Sequence, residues 1–165
     1  KGYMSLTHGQ TPAVNVFSSL GEEIAFLSSY IGKLQEEGTA LESICVVART
    51  KRLLQSYIDQ LSGAGFTTYE IKRNIAEQRD KPGVRLATMH RVKGLEFENV
   101  IIVGANKGIL PLEAAVDDAE DAVAQRNAET RERSLLYVAL TRARRAAVIT
   151  AYGQLTPFLA GPTRQ

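Results

Sequence analysis

The stretch "ERSLLYVALTRARR", Glu132 to Arg145, ends in Thr141-Arg142, where an amphipathic helix pattern stops and an apolar run, "AAVITAY", begins. Leu135, Leu136, Ala139, Leu140 and Ala143 fall near helical spacing. A guanidinium fixed at such a junction has a definite chemical use. It is always ionised, and its planar fork of donors suits phosphate oxygens in a way a lysine cannot imitate. The expectation is that Arg142 sits near the layer where open α/β sheets bind ligands; the bland alternative is a solvated cation favoured by the helix C-terminal dipole.

A second group of polar residues lies in "VRLATMHRVKGLEFENVIIVG". A strand is predicted to end near Thr88-Met89, a tight polar turn to follow through His90, Lys93 and Gly94, and a buried strand to resume at Val100. That reading puts Thr88, His90, Lys93 and Glu96 at a strand's carboxyl end, the usual ligand edge. The alternative is a polar loop with a glycine turn.

The elements that must position these residues alternate between β-rich runs and helical patterns. Strands are predicted at Ala13–Phe17, Ile44–Ala48, Thr67–Ile71, Val84–Met89, Asn99–Gly104 and Ala146–Tyr152. Several are apolar on both faces, which suits a mainly parallel sheet covered by helices on each side. One helix carries Ile24, Leu27, Ile31 and Leu34 and stops at Gly38; another carries Leu54, Ile58 and Leu61. "LEAAVDDAEDAVAQRNAETRERS" is alanine-rich and acidic, a solvated helical or partly mobile segment. "KRNIAEQRDKPG", Lys72 to Gly83, reads as a surface connection between two halves of one sheet, and "ANKGILPLEAA" as a loop held by Gly108 and Pro111.

At 165 residues, 44% hydrophobic and 23% charged, the chain fits one soluble globular domain, 1–165. A formal net charge of +2 does not announce a nucleic-acid partner by bulk electrostatics, so such a partner must be argued locally. The single cysteine, Cys45, in "ICVVA" reads as a buried strand residue, leaving no disulfide and no cysteine-metal site. No run approaches the ~18 apolar residues of a membrane span, and "KGYMSLTHGQTP" lacks a signal peptide's apolar core. No membrane partner is expected, and a cytoplasmic location is the default.

The polar turn resembles motif V of superfamily 1 helicases of the UvrD/Rep type, close to T-x-H-x-x-K-G-L-E-F, with Thr88, His90, Lys93, Gly94, Leu95, Glu96 and Phe97 all in place. "ERSLLYVALTRAR" is similar to motif VI of that family, through Glu132, Arg133, Leu136, Tyr137, Val138, Thr141, Arg142 and Ala143. "ICVVARTKRLLQSYIDQLSGAGFTTYEI" resembles motif IV, with Arg49 as the carried position. The matches fall at about 44–71 for motif IV, 84–104 for motif V and 129–145 for motif VI.

The resemblance implies the second RecA-like domain of an ATP-dependent DNA translocase, an α/β three-layer fold without its own P-loop. In the family the motif VI and motif IV arginines contact the γ-phosphate and the motif V glutamate reaches the sugar. Arg142 is thereby the implied arginine finger, with Arg49, Gly94 and Glu96 completing the implied ATP contacts. Thr88, His90 and Lys93 are the implied contacts to single-stranded DNA. A histidine donates to phosphate whether neutral or charged, and a threonine hydroxyl does so without an entropy-rich stem. Arg144 and Arg145 read as an exposed basic cluster adding at most backbone attraction.

The pattern G-x-x-x-x-G-K-[ST] is absent, as is any Asp-Glu dipeptide, so ATP and Mg²⁺ are expected to be held mainly by a partner N-terminal RecA-like domain. The chain alone is expected to be inactive. Ala48 stands where the family often has an aromatic that stacks on adenine, and Ser134 replaces one of the usual paired arginines. The short Lys72–Gly83 connection replaces a large accessory subdomain of many relatives. The alternative is a helicase-derived DNA- or protein-binding module with no part in ATP turnover. A small-molecule α/β enzyme lacks a convincing nucleophile-base set.

Overall fold

The computed structural model of the chain describes residues 11–73 and 76–160. Most of the opening stretch read above for a leader, and positions 74 and 75 of the polar connection, lie outside the described residues. The elements run β1 (Ala13–Phe17), α1 (Leu20–Glu36), β2 (Ile44–Ala48), α2 (Lys51–Gly63), β3 (Thr68–Glu70), β4 (Val84–Thr88), β5 (Phe97–Ile102), α3 (Glu113–Asp117), α4 (Ala122–Leu140) and β6 (Ala143–Tyr152). They build one six-stranded sheet in the order β1-β6-β5-β2-β4-β3, parallel at every pairing. This is the parallel sheet covered by helices on both faces that the strand and helix alternation predicts.

The central strands are apolar on both faces because helices cover both. On one side α1 and α2 pack Leu27, Ile31, Leu54, Tyr57 and Leu61 onto Ile44, Val46, Leu86 and Ile101. On the other, α4 and the turn after β4 pack Leu136, Ala139, Leu140, Met89 and Val92 onto Cys45, Val47, Ala87, Val100 and Ile102. Cys45 is fully buried, as expected, and burial pushes its thiol well above the usual range. Both sheet-covering helices on the first face start on a side-chain cap, Ser19 Oγ accepting from Glu22 N at 3.2 Å and Thr50 Oγ1 from Leu53 N at 3.1 Å; such caps satisfy donors left open at a helix start. Among the described residues no helix is long and apolar enough to cross a membrane.

Two strands begin earlier than their apolar runs. Phe97 pairs with Ala143 and Asn99 with Ala146, with a register shift between them. Backbone pairing therefore continues past the hydrophobic pattern into Arg144 and Arg145, which are exposed; a bulge that inserts a residue re-aims neighbouring side chains in this way. The acidic alanine-rich segment resolves into α3 and α4, the latter capped by Asp121 Oδ1 accepting from Ala124 N at 2.8 Å.

One junction was not foreseen. The buried carboxylate of Glu23 accepts hydrogen bonds from the Tyr57 hydroxyl and from Gly104 N, the latter at 3.0 Å, tying α1, α2 and the end of β5 together. Gly104 has φ +61°, and a Cβ there would meet Leu53 Cδ2 at 2.7 Å. Only glycine lets the backbone approach the carboxylate in this conformation.

Candidate functional site

In an all-parallel sheet every strand starts at one edge and ends at the other, so a residue just after a strand and one just before a strand lie on opposite edges. Thr88 ends β4 and Arg49 directly follows β2, which pairs Ala48 with Thr88; both stand at the carboxyl edge. Next to them is a cavity of about 380 Å³ whose lining includes Lys51, Glu70, Lys72, Arg73, Thr88 and Arg91. Four cations, one carboxylate and a threonine surround this hollow beside the start of α2, so its lining is net positive.

Arg49 is not one of those open cations. Its Nε donates to Glu132 Oε2 at 2.8 Å and its Nη2 to Glu132 Oε1 at 2.5 Å, and Leu112 N donates to Oε2 at 2.9 Å. The two side chains are 10% and 4% exposed. Burial alone would raise the Glu132 carboxyl, but the Arg49 and Leu112 hydrogen bonds and the Arg49 charge hold it below the usual carboxylate range. His90 is exposed and feels the same pair. Partial burial, then Arg49, push its imidazole below the usual value, while Glu132 pulls it up.

Arg142 and Glu96 occupy the amino edge, just before β6 and β5. Arg142 O accepts from Phe97 N at 2.9 Å. Among the described residues its guanidinium is held by neutral oxygens: Nη2 donates to Thr141 Oγ1 at 2.9 Å, Nε to the Val138 carbonyl at 3.2 Å, and Nη1 lies 3.5 Å from the Leu95 carbonyl. The ion pairs among the described residues are Arg49–Glu132, Arg85–Glu77 and Arg144–Glu96, and none involves Arg142. Its side chain is fixed while its charge is left without a carboxylate. Glu96 is paired with Arg144, Nε to Oε2 at 2.9 Å, in the open, the two side chains being 54% and 59% exposed.

The expected convergence of Arg49, Glu96 and Arg142 on one edge therefore does not occur. Ile44 of β2 pairs with Asn99 of β5, so Arg49 stands roughly seven strand residues beyond Phe97, or about 23 Å along the sheet. The expectation that Glu96 shares Thr88's edge fails for the same reason. The Met89–Glu96 connection crosses the sheet from the end of β4 to the start of β5, burying Val92 as it goes. Arg142 correspondingly sits at the amino edge rather than the edge where open α/β sheets usually bind ligands. Lys93 is exposed on the crossing turn, away from the basic cavity. Gly94 has φ +85° with open space where a Cβ would be, so its place in the motif is explained by backbone conformation. Arg144 is a partner of Glu96 rather than merely solvated.

Glu132 is the site residue whose task the sequence reading missed. The signal was present: Ala128, Glu132, Leu136, Ala139 and Leu140 form the buried face of α4, and a carboxylate at a core position demands a donor. Arg85 gives the same signal inside β4. It is fully buried, bonded to Glu77 and to the carbonyls of Gln78, Lys81 and Gly83, with Tyr69 beneath it at 4.5 Å. Among the described residues no three His, Cys, Asp or Glu side chains are grouped to hold a metal ion.

The family model of the UvrD-like helicase C-terminal domain matches residues 66–154. The chain is 32% identical over 124 residues to the putative ATP-dependent DNA helicase YjcD of Bacillus subtilis, covering 71% of this chain and 15% of that protein. It is 37% identical over 84 residues to the ATP-dependent DNA helicase PcrA of Staphylococcus aureus, covering 51% of this chain and 11% of the relative. The crystal structure of the C-terminal domain of a possible DNA helicase from a Lactobacillus superposes with a TM-score of 0.68 at 19% identity, covering 96% of this chain and 86% of that one. The chain thus spans well under a fifth of the curated relatives named here.

Proposed function

Because the chain belongs to the UvrD-like helicase C-terminal domain family, we propose that it is the C-terminal motor domain of an ATP-dependent DNA helicase or translocase, working on an ATP site completed by an N-terminal RecA-like domain. The observation that carries the reading is the state of Arg142, a guanidinium held by Thr141, Val138 and Leu95 and, among the described residues, paired with no carboxylate. A cation held in advance without a counter-charge stabilises negative charge that arrives later, at little cost in reorganisation. ATP supplies the γ-phosphoryl group on whose oxygens that charge develops. Arg142 meets those oxygens as an arginine finger, while Glu96, released from or shared with Arg144, accepts from the nucleotide's sugar. The Gly94 turn delivers Glu96 to that edge. Arg49 is left out of the nucleotide contacts because Glu132 already neutralises it at the other edge.

Single-stranded DNA is the partner of the carboxyl edge, where Thr88 and His90 offer donors to the phosphate backbone, Lys93 adds attraction from the turn, and Lys51 and Arg91 extend the track. Contacts of this kind fix position without reading sequence.

The test is Arg142→Ala and Arg142→Lys in the helicase that carries this chain, with Arg145→Ala as the comparison. Loss of an arginine finger lowers turnover by about 10³- to 10⁵-fold, and lysine should rescue little because a point charge cannot reproduce the fork. ATP and single-strand affinities should stay near normal in all three variants. Near-normal turnover in Arg142→Ala would decide for a DNA- or protein-binding module.

A further inference from the structure

Helix α4 and the crossing connection Met89–Glu96 run past each other between the two edges; α4 is bonded to Arg49 and Leu112 toward one edge, and Arg142, just after it, to the connection at the other. Toward the carboxyl edge, Glu132 of α4 holds Arg49 and Leu112 N, and the pair's charges act on His90 of the connection. At the amino edge, Arg142 reaches the Leu95 carbonyl of the same connection and accepts from Phe97 N. From Glu132 to Leu140 is about 12 Å of helix.

Between these ties α4 buries Leu136 and Leu140, packs Leu135 against the same core, and carries Arg133 over the Phe158 ring at 4.7 Å. Apart from Glu132, its buried face is Ala128, Leu136, Ala139 and Leu140. Apolar contact of this kind is non-directional, whereas a bidentate ion pair selects one register. A buried ion pair contributes little net stability compared with apolar packing, and its best-attested use is to specify one arrangement over its neighbours. Glu132 is suited to that use. It makes a bidentate bond to a residue anchored at the end of a central strand, and a third bond to a different segment.

We infer that Glu132 is a positioning residue that sets Arg142 from the opposite edge of the sheet: by pinning α4 to Arg49 and Leu112 it fixes where the helix's C-terminal turn holds the Arg142 guanidinium. The catalytic consequence rests on the reading of Arg142 as the γ-phosphate cation; the positional link does not. Because Thr88 and His90 lie at the pinned end, an anionic backbone arriving there acts on the same pair, and α4 is the rigid element that carries the effect across.

The deciding measurement is made on this chain alone by following the Arg142 Nε–H resonance and the Leu95 and Phe97 amides by NMR in Glu132→Gln, Arg49→Lys and Arg133→Ala. Gln keeps the shape but not the charge, and Lys keeps the charge but not the fork. Arg133, whose guanidinium lies 4.7 Å from the Phe158 ring on the outer side of α4, is the control. Glu132→Gln and Arg49→Lys should both move the distant resonances, and Arg133→Ala should leave them in place. If Glu132→Gln does not fold, Arg49→Lys decides. Unmoved resonances in a folded variant of the pair, or equal movement in the Arg133 control, overturn the inference. In the helicase that carries the chain, Glu132→Gln should lower kcat for ATP by about 10- to 100-fold, the scale of a misplaced catalytic group, with KM nearly unchanged. Normal turnover in Arg142→Ala there would refute the finger reading and leave the positional link to stand or fall by the NMR result.

Discussion

Glu132→Ala is the perturbation whose cost can be worked most directly. In the folded chain its carboxylate takes two hydrogen bonds from Arg49, at 2.5 and 2.8 Å, and one from Leu112 N. Removing one member of a buried pair costs about 3–5 kcal/mol, because the other charge stays behind without compensation, and an orphaned backbone N–H adds about 1–3 kcal/mol. The two penalties do not sum fully. Arg49 retains 10% exposure at the sheet edge, so water can reach a reoriented guanidinium, and Leu112 is only half-buried. The expected loss is about 3 kcal/mol, or a fall in Tm of about 6–12 °C for a chain of this size. Urea melts of the wild type and the variant measure it, and their pH dependence identifies the cause. The Glu132 pKa is lowered from 4.5 in the folded state, so the carboxylate's contribution is fully present above that ordinary value and disappears as pH falls through the lowered one. The stability gap should stay constant from neutral pH to about pH 5 and close in stronger acid. A loss under about 1 kcal/mol, or a gap that persists in acid, would refute the account of the pair.

Arg144→Ala removes an exposed ion pair and should cost at most about 1 kcal/mol in the same melts; a larger loss would refute the reading of this pair as a surface contact. Gly104→Ala forces a side chain into a left-handed conformation, which costs about 1–2 kcal/mol, and into contact with Leu53, so a loss of about 2 kcal/mol or more is expected by thermal melting. The His90 imidazole should titrate below its usual 6.5 by NMR; with a depressed folded value, its contribution to stability is present above 6.5 and declines as pH falls through the folded pKa. Lys51→Ala and Arg91→Ala should each reduce the slope of log affinity against log salt for an oligothymidylate by about 1, whereas Arg145→Ala should leave it unchanged.

The fold was legible because its strands announce themselves. A run such as "ICVVA", apolar at every position, has few uses other than a strand covered on both faces, and Ile44–Ala48 is buried throughout. Helix bodies were legible through the spacing of Ile24, Leu27, Ile31 and Leu34 and of Leu54, Ile58 and Leu61, whereas the caps at Ser19 and Thr50 were found only in the structure. The strand starts at Phe97 and Ala143 were not, because pairing there extends into residues whose side chains face water, and an apolar pattern ends before the backbone ladder does. Motif residues were legible as types, but their distribution between edges was not. Thr88 and Glu96 are eight positions apart in a segment that reads as one polar loop, yet the intervening residues cross the sheet. The Arg49–Glu132 contact joins positions 83 residues apart, a pairing no local pattern contains. The sign that Glu132 needed a partner was nevertheless local, a carboxylate in phase with Leu136 and Leu140.

Two arginines that the sequence offered for the same task are thereby separated by physics rather than by motif. Arg49 follows a strand and Arg142 precedes one, which in a parallel sheet puts about 23 Å between their levels. They also differ in charge balance. Arg49 is matched by a carboxylate inside a nearly closed contact, so recruiting it to a phosphate would leave Glu132 as a buried anion facing another anion. Arg142 is held by two carbonyls and a hydroxyl, which fix its direction but leave its charge available, so a phosphate can approach without displacing any counter-ion. Under the proposed reading, Arg142 is the one of the two that gains an ion pair when a phosphate approaches. The same sheet geometry runs α4 between the two, with Glu132 bonded to Arg49 toward one edge and Arg142 two residues past the helix's last residue, Leu140, at the other.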